Sequence, residues 1–239
     1  FLVSEDNYLI YDFLKKIFLL ENIDTELVII QEYKEPLKRK ILFSFLFGIL
    51  DTFKILYEIK IKRNQLSIEK LCKKKNVKFI KTLNINNINV INSIKKNNSN
   101  LIINLNVMKL FKKNFITKFN KKLINFHPGI LPTYRGLYST FYKILNKENY
   151  YGISAHLMTN KIDEGDILTI VKKKITNKNL LICYTSIYRV LIFILFKKII
   201  KIYSRKKIMI YKKKSTNKYP IYKHPTMFQI LKYKLTNTI

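Results

Sequence analysis

Short apolar runs and amphipathic stretches alternate along the chain. Phe1–Ser4 is an apolar run ending in the polar turn Ser4-Glu5-Asp6-Asn7. Tyr8–Leu20 carries apolar residues at helical spacing, and Glu26–Gln31 reads as a buried strand. Strand, helix, strand is the opening of a parallel α/β sheet. Val77–Ile80 and Leu101–Leu105 add two strands, with a helix around Val90–Lys96 between them. Leu123–Phe126 is a further strand that runs directly into a Pro/Gly-rich loop. Tyr138–Asn146 reads as a helix, Gly152–Met158 and Ile167–Val171 as strands around a turn, and Leu180–Tyr203 as a long apolar helix. The end of the chain, with Tyr219-Pro220 and His224-Pro225, is expected as an irregular segment laid over the domain. The predicted fold class is α/β: one domain over 1–205 with a mostly parallel, Rossmann-like sheet and a C-terminal helix, and a tail, 206–239, packed on it.

Two apolar stretches have roughly the 20-residue length of a membrane-spanning helix. Ile41–Ile59 contains Asp51 and Lys54; Leu180–Phe196 contains Arg189 and runs into Lys197 and Lys198. A charge in mid-segment costs about 2.5–3.5 kcal/mol on insertion, which disfavours spanning. Leu180–Tyr203 is therefore read as a core-packed helix. Ile41–Ile59 stays open between a buried insertion, an interfacial helix on a membrane surface and a subunit contact.

With 239 residues, 48% of them hydrophobic, the chain can bury a substantial core, which excludes a disordered chain and a disulfide-stapled miniprotein. Cys72 and Cys183 are far apart, form no zinc or redox spacing, and read as reduced thiols of a cytoplasmic protein; no metal site is expected. The chain opens on Phe1 rather than Met, so its true start is expected upstream and a signal peptide stays open; Phe1–Ile10 itself has no basic start, and acidic residues follow its short apolar run.

The formal net charge is +31, yet only five of the 46 basic residues are arginine and alanine occurs once, at Ala155. Lys, Ile and Asn dominate, as in a coding sequence biased toward A and T, so lysines on solvated faces explain much of the excess. The functional alternative is an electrostatic footprint for nucleic acid or an anionic membrane surface. The acids say more. After Glu69 the carboxylates are Glu148, Asp163, Glu164 and Asp166, so carboxylate chemistry downstream falls to these four.

Four of the five glycines, two of the five prolines and two of the three histidines lie between His127 and Gly165. Glycine permits φ > 0 or close approach and proline fixes φ, so this concentration marks a constrained backbone. The segment reads Asn125-Phe126-His127-Pro128-Gly129-Ile130-Leu131-Pro132-Thr133-Tyr134-Arg135-Gly136. Asn125 and His127 sit two apart at the carboxyl end of a buried strand, on one face, where α/β proteins place their sites.

This segment resembles the signature of the folate-dependent formyltransferases, the family of methionyl-tRNA, glycinamide ribonucleotide and nucleotide-sugar N-formyltransferases. The resemblance continues through Gly152-Ile153-Ser154-Ala155-His156 and Asp163-Glu164-Gly165-Asp166-Ile167-Leu168, and covers roughly Asn100–Leu168 closely. It implies a formyltransferase using 10-formyltetrahydrofolate as co-substrate. It also implies a folate site along Val107–Phe111 (Met108, Lys109, Leu110, Phe111), closed on one side by Leu131–Gly136.

Formyl transfer is acyl transfer. An amine attacks the formyl carbon, an oxyanion forms, and the folate nitrogen departs. Asn125 and His127 can supply oxyanion donors, and a carboxylate, or a water it holds, can take the amine's proton. The resemblance places that carboxylate at Asp163, beside His127, where its charge favours the imidazolium. Catalytic roles are thus expected of Asn125, His127 and Asp163. His156 is expected to line the site behind Asp163 or to fill the sheet. Arg135 is expected to contact an anionic acceptor or to fix its loop through backbone carbonyls. Glu148 is expected in solvent, Glu164 and Asp166 facing solvent or the turn, and His224 structural or exposed.

The acceptor is argued from departures. The first loop, Ser4-Glu5-Asp6-Asn7, is acidic and glycine-free and would repel a phosphate, unlike the glycine-rich loop of glycinamide ribonucleotide enzymes. The stretch after Leu168 begins with a long helix and leaves no room for the barrel that methionyl-tRNA enzymes add. A small-molecule amine, such as a nucleotide-linked amino sugar, is the expected acceptor. tRNA stays open through phosphate neutralisation by lysine, as does a basic RNA- or membrane-binding protein without catalysis.

Overall fold

The computed structural model describes residues 1–4, 8–33, 36–48, 50–53, 57, 66–107, 109–204 and 218–237. The expected turn residues Glu5, Asp6 and Asn7, and Met108, lie outside them. Seven strands form the main sheet: β1 (Leu2–Ser4), β2 (Leu27–Gln31), β3 (Lys78–Thr82), β4 (Ile102–Leu105), β5 (Leu123–His127), β7 (Tyr150–Leu157) and β8 (Ile167–Lys174). Their order is β3-β2-β1-β4-β5-β7-β8. The first five run parallel, and β7 and β8 are antiparallel. A two-residue strand β6 (Arg135–Gly136) pairs separately with β9 (Ile221–Tyr222).

Apart from the edge strand β3, the parallel strands are buried on both faces, and their side chains divide by parity. Val3, Val28, Ile30, Ile103, Leu105, Ile124 and Phe126 enter one core; Leu2, Leu27, Ile29, Ile102 and Leu123 enter the other. On the first face pack α1 (Tyr8–Ile17), α3 (Ile68–Lys74) and the long helix at 180–204; on the second lies α4 (Ile88–Asn97) with the short α5 (Lys113–Lys118). In α1 the buried residues Leu9, Ile10, Phe13, Leu14 and Ile17 repeat at helical spacing and form one stripe. Asn87 caps α4 by accepting the Asn89 N–H, and Asn98 ends it in the left-handed conformation.

The long apolar helix comprises α7 (Leu180–Ser186), a π-helical turn (Ile187–Leu191) and α8 (Ile192–Ser204). Its length and composition would suffice to cross a membrane. Ile187, Leu191, Leu195, Phe196 and Ile199 are buried in the core instead, as expected of a core-packed helix. The apolar segment after residue 36 forms α2 (Leu37–Phe47).

The tail differs from the sequence-based expectation. Residues 206–217 and 238–239 lie outside the described residues, and 218–237 carries β9 and an eleven-residue helix, α9 (Met227–Asn237), rather than an irregular coil. The pattern is hidden because exposed apolar residues lie beside the buried pair Ile230 and Tyr233. Tyr233 Oη accepts the Leu180 N–H at 3.1 Å and donates to Lys178 O at 3.0 Å, fixing α9 to the start of α7. α6 (Ser139–Leu145) also packs on α9.

Candidate active site

The strand order reverses direction beside β1, and the carboxyl ends of β4 and β5 open into a crevice there, the place where open α/β sheets bind ligands. Three polar side chains form a row across that end. Asn104, Asn125 and His156 are register partners on β4, β5 and β7. Asn104 Nδ2 donates to Asn125 Oδ1 at 2.8 Å, and Asn125 Nδ2 lies 3.1 Å from His156 Nε2. A carbonyl only accepts, so His156 Nδ1, 2.9 Å from Leu157 O, carries the proton and Nε2 accepts from Asn125. His156 thus takes the first of its two expected roles, lining the site behind Asp163.

Asp163 completes the cluster from the loop before β8. Its Oδ1 is 3.4 Å from Asn125 Nδ2 and from His156 Nε2; its Oδ2 is 3.4 Å from His127 Nδ1 and accepts the Gly136 N–H at 2.8 Å. The loop holds Asp163 at φ +51°, a left-handed conformation that Asp tolerates better than most residues. Burial opposes ionisation of this carboxyl. The positive charge that His127 and His156 carry when protonated, with the Gly136 N–H, outweighs it and holds the group well below the usual carboxylate range. It is anionic at neutral pH.

His127 stands between its own loop and Asp163. Its Nε2 lies 2.8 Å from Tyr134 O, so this nitrogen donates, and Nδ1 faces Asp163 Oδ2 at 3.4 Å. Burial pushes the imidazole below its ordinary 6.5; the charge of Asp163 favours the imidazolium, as expected, and only partly counters this.

Arg135, on β6, reaches across to the loop before β8. Its guanidinium donates to Ile162 O at 3.1 and 2.8 Å and to Glu164 Oε1 at 2.7 Å, and it lies outside the cleft wall. It bonds a backbone carbonyl, but of the loop that carries Asp163 rather than of its own. Glu164, expected in solvent or the turn, is tied to Arg135, because a buried guanidinium needs a counter-charge. Glu148 is exposed, as expected, and there accepts the Tyr134 O–H at 2.9 Å and lies 3.6 Å from Lys143 Nζ.

The cleft measures about 820 Å³, within the range of roughly 300–1,000 Å³ for small-molecule sites. Val107, Lys109, Leu110, Phe111 and Ile116 line one wall, and Asn104, Asn125, His127, His156 and Asp163 its floor. A wall from α2, α6 and α7 contributes Phe43, Phe47, Tyr138, Phe141, Tyr184 and Tyr188. Lys109 is held by its N–H to Gln31 Oε1 at 3.3 Å and its Nζ to Leu83 O at 2.7 Å. Leu131, expected at the folate, does not line the cleft. It is buried, its N–H donating to Ser154 Oγ at 3.0 Å. Ser154 in turn donates to Gly129 O at 2.6 Å, fastening the constrained loop to β7.

Sequence reasoning missed Asn104, Ser154 and the lining role of His224, whose ring is 5.4 Å from Tyr138. Asn104 carried a signal, a lone amide within the apolar strand LIINL. Ser154 and His224 had none beyond position.

Comparison with known proteins points the same way. The chain is 32% identical over 122 residues to the methionyl-tRNA formyltransferase of Finegoldia magna, an alignment spanning 50% of this chain and 39% of that protein. It thus spans about two-fifths of the length of that relative. Its fold is similar to the phosphoribosylglycinamide formyltransferase of Anaplasma phagocytophilum, at a TM-score of 0.64 and 14% identity over 90% of this chain and 93% of that one. It is also similar to the N-formyltransferase of Helicobacter canadensis solved with folinic acid and dTDP-3-aminofucose, at a TM-score of 0.57 and 19% identity over 97% and 77% of the chains. The family model described as formyl transferase matches residues 57–181, more than half of the chain and the stretch that holds every residue converging on Asp163. By that match the chain belongs to the formyl transferase family.

Proposed function

We propose that this protein transfers a formyl group from 10-formyltetrahydrofolate to a primary amine, and that the acceptor is a small molecule such as a nucleotide-linked amino sugar. The observation that carries this reading is the convergence of Asn125, His127 and an anionic Asp163 on the floor of one cleft. The cleft fits a folate: its volume suits a ligand of that size, and the Val107–Phe111 side is apolar where a flat ring would lie.

The folate supplies the formyl carbon on a nitrogen leaving group. Asn125 supplies the oxyanion donor. One of its N–H groups is committed to His156; the other makes only a long 3.4 Å contact with Asp163, which a substrate oxygen can replace. Asp163, kept ionised, accepts the proton that the attacking amine sheds, directly or through a water. His127 stands beside it with Nδ1 3.4 Å from Asp163 Oδ2, where the carboxylate charge stabilises a proton on the ring. The proton then returns to the departing nitrogen.

A second reading, formylation of methionyl-tRNA, is favoured by the methionyl-tRNA formyltransferase relatives and by the +31 charge. Incubation with 10-formyltetrahydrofolate and a panel of amines, nucleotide-linked amino sugars and methionyl-tRNA, followed by mass, tests both. A formylated small amine supports the first; formylated methionyl-tRNA alone supports the second; no formylated product overturns the formyl transfer itself.

A further inference from the structure

α2 is apolar on both sides. Leu46 is buried, and Phe43 and Phe47 line the cleft. The opposite stripe, Ile41 and Phe45, is half exposed. The first turn of α2 carries Lys38, Arg39 and Lys40 in sequence; beyond it one apolar side meets the core and the other meets none. The chain after it continues the pattern: Leu50 is 85% exposed and Phe53 67%.

A second helix adds to the same surface. On α9, Phe228, Leu231 and Leu235 repeat at spacings of three and four and are exposed, Leu235 at 80%. The two elements are tied together. Lys234 Nζ of α9 stands 2.9 Å from where a Cβ of Gly48 would be and feels the charge of Asp51, which itself accepts from Asn179 Nδ2 at the start of α7 at 3.0 Å. Lys234 lies between the buried face of α9 and the Leu231–Leu235 stripe, so α9 meets the chain after α2 through this side chain. An apolar patch assembled from two elements, beside the mouth of a cleft, marks an interaction site.

Charge selects the occupant. Lys38, one turn before Ile41 on α2, and Lys232, one turn from Phe228 and Leu235 on α9, are exposed beside the two stripes, and nothing from Ile167 to Ile239 is acidic. The acid within it, Asp51, is engaged by Asn179. A second copy docking on this face would set these lysines against their own kind. A nucleic acid would match the lysines but leave the leucines and phenylalanines in water. An anionic bilayer satisfies both, with apolar side chains below the headgroups and lysines among them. We propose that the face built by α2, Leu50–Phe53 and α9 docks this protein on an anionic lipid bilayer, with the cleft mouth turned toward that surface. The proposal does not depend on the acceptor or on formyl transfer.

The chain contains no tryptophan, so one introduced indole reports alone. Phe45→Trp should shift its emission to the blue with phosphatidylcholine vesicles containing phosphatidylglycerol, and much less with phosphatidylcholine alone. Ile88→Trp, exposed on α4, should not shift. Leu231→Ser with Leu235→Ser should lower vesicle affinity at least about tenfold without moving the unfolding midpoint, since two large apolar groups no longer leave water. The proposal is overturned if the emission of the Phe45→Trp variant does not respond to the anionic vesicles. It is equally overturned if vesicle binding disappears with salt but ignores the paired Leu231→Ser and Leu235→Ser substitutions. A blue shift that grows with protein concentration in the absence of lipid makes the occupant a second copy and overturns it too.

Discussion

The side-chain amide of Asn104 donates to Oδ1 of Asn125 at 2.8 Å, and this bond decides which way the Asn125 amide faces. With its oxygen held by β4, Asn125 turns both N–H groups toward His156 and Asp163. Asn104 is a positioning residue. Asn104→Ala leaves the Asn125 oxygen without this donor, a loss of about 1–3 kcal/mol. It is expected to lower kcat about tenfold or more while the KM for folate changes little, and Asn104→Ser to recover part of the loss. Steady-state kinetics of the two variants check this; an unchanged kcat would mean that Asn125 holds its orientation without β4.

Asp163→Asn should fold normally, because Asn accepts the left-handed backbone at this position as readily as Asp. It removes charge and basicity and is expected to cut turnover at least about 10²-fold, the lower end for a general acid–base group. Raising the pH should not restore it. Asp166→Asn is the control and should keep most activity. Side-by-side turnover decides; a dead Asp166→Asn with an active Asp163→Asn would place the base on the wrong carboxylate.

Acid should destabilise the fold earlier than carboxylate titration alone implies. Burial lowers the His127 pKa below its unfolded value of about 6.5, so the stability tied to it is full above that pH and falls below it. There the unfolded chain binds one proton more than the folded one, a slope of at most about 1.4 kcal/mol per pH unit. Asp163, whose carboxyl is also depressed, adds a second loss only below its unfolded value of about 3.9. Chemical denaturation between pH 7 and 5 should show a falling midpoint, and His127→Gln should flatten the profile. A wild-type midpoint constant over that range would show that folded His127 titrates normally.

Gly136 is held at φ +84°, and a Cβ there would meet Tyr222 O at 2.3 Å. Gly136→Ala must therefore push β9 away from β6 and carry the N–H that binds Asp163 out of line. Turnover is expected to fall at least about tenfold with a stability loss of about 1–3 kcal/mol, the range for a strained position. Thermal melting alongside kinetics tests this; a variant that melts and turns over like the wild type would show that the tail leaves the site indifferent.

The strands and long helices were legible because each carries a buried run or a helical stripe, as LVIIQ at β2 and the 9/10/13/14/17 set of α1 do. Asn125, His127 and Asp163 were legible through rare residue types at motif spacing. Three things were not. Helix α9 sits in a lysine-rich tail where apolar residues point both inward and outward, so no single stripe stands out. The roles of Arg135 and Glu164 depend on a contact across the turn at Ile162, which spacing along the chain does not encode. The charge of His127 depends on burial, and burial follows from the packing of Tyr134 and Ser139 around the ring.

Asn104, Asn125 and His156 sit on three neighbouring strands, so none of them can move without parting backbone ladders on either side. Amide protons in this part of the molecule should exchange with solvent only when the whole sheet opens. Asp163 sits on the loop before β8 and is tied back to the strands only through side-chain and single N–H contacts with Asn125, His127, Gly136 and His156. Hydrogen exchange should therefore find that loop less protected than the three strands beneath it.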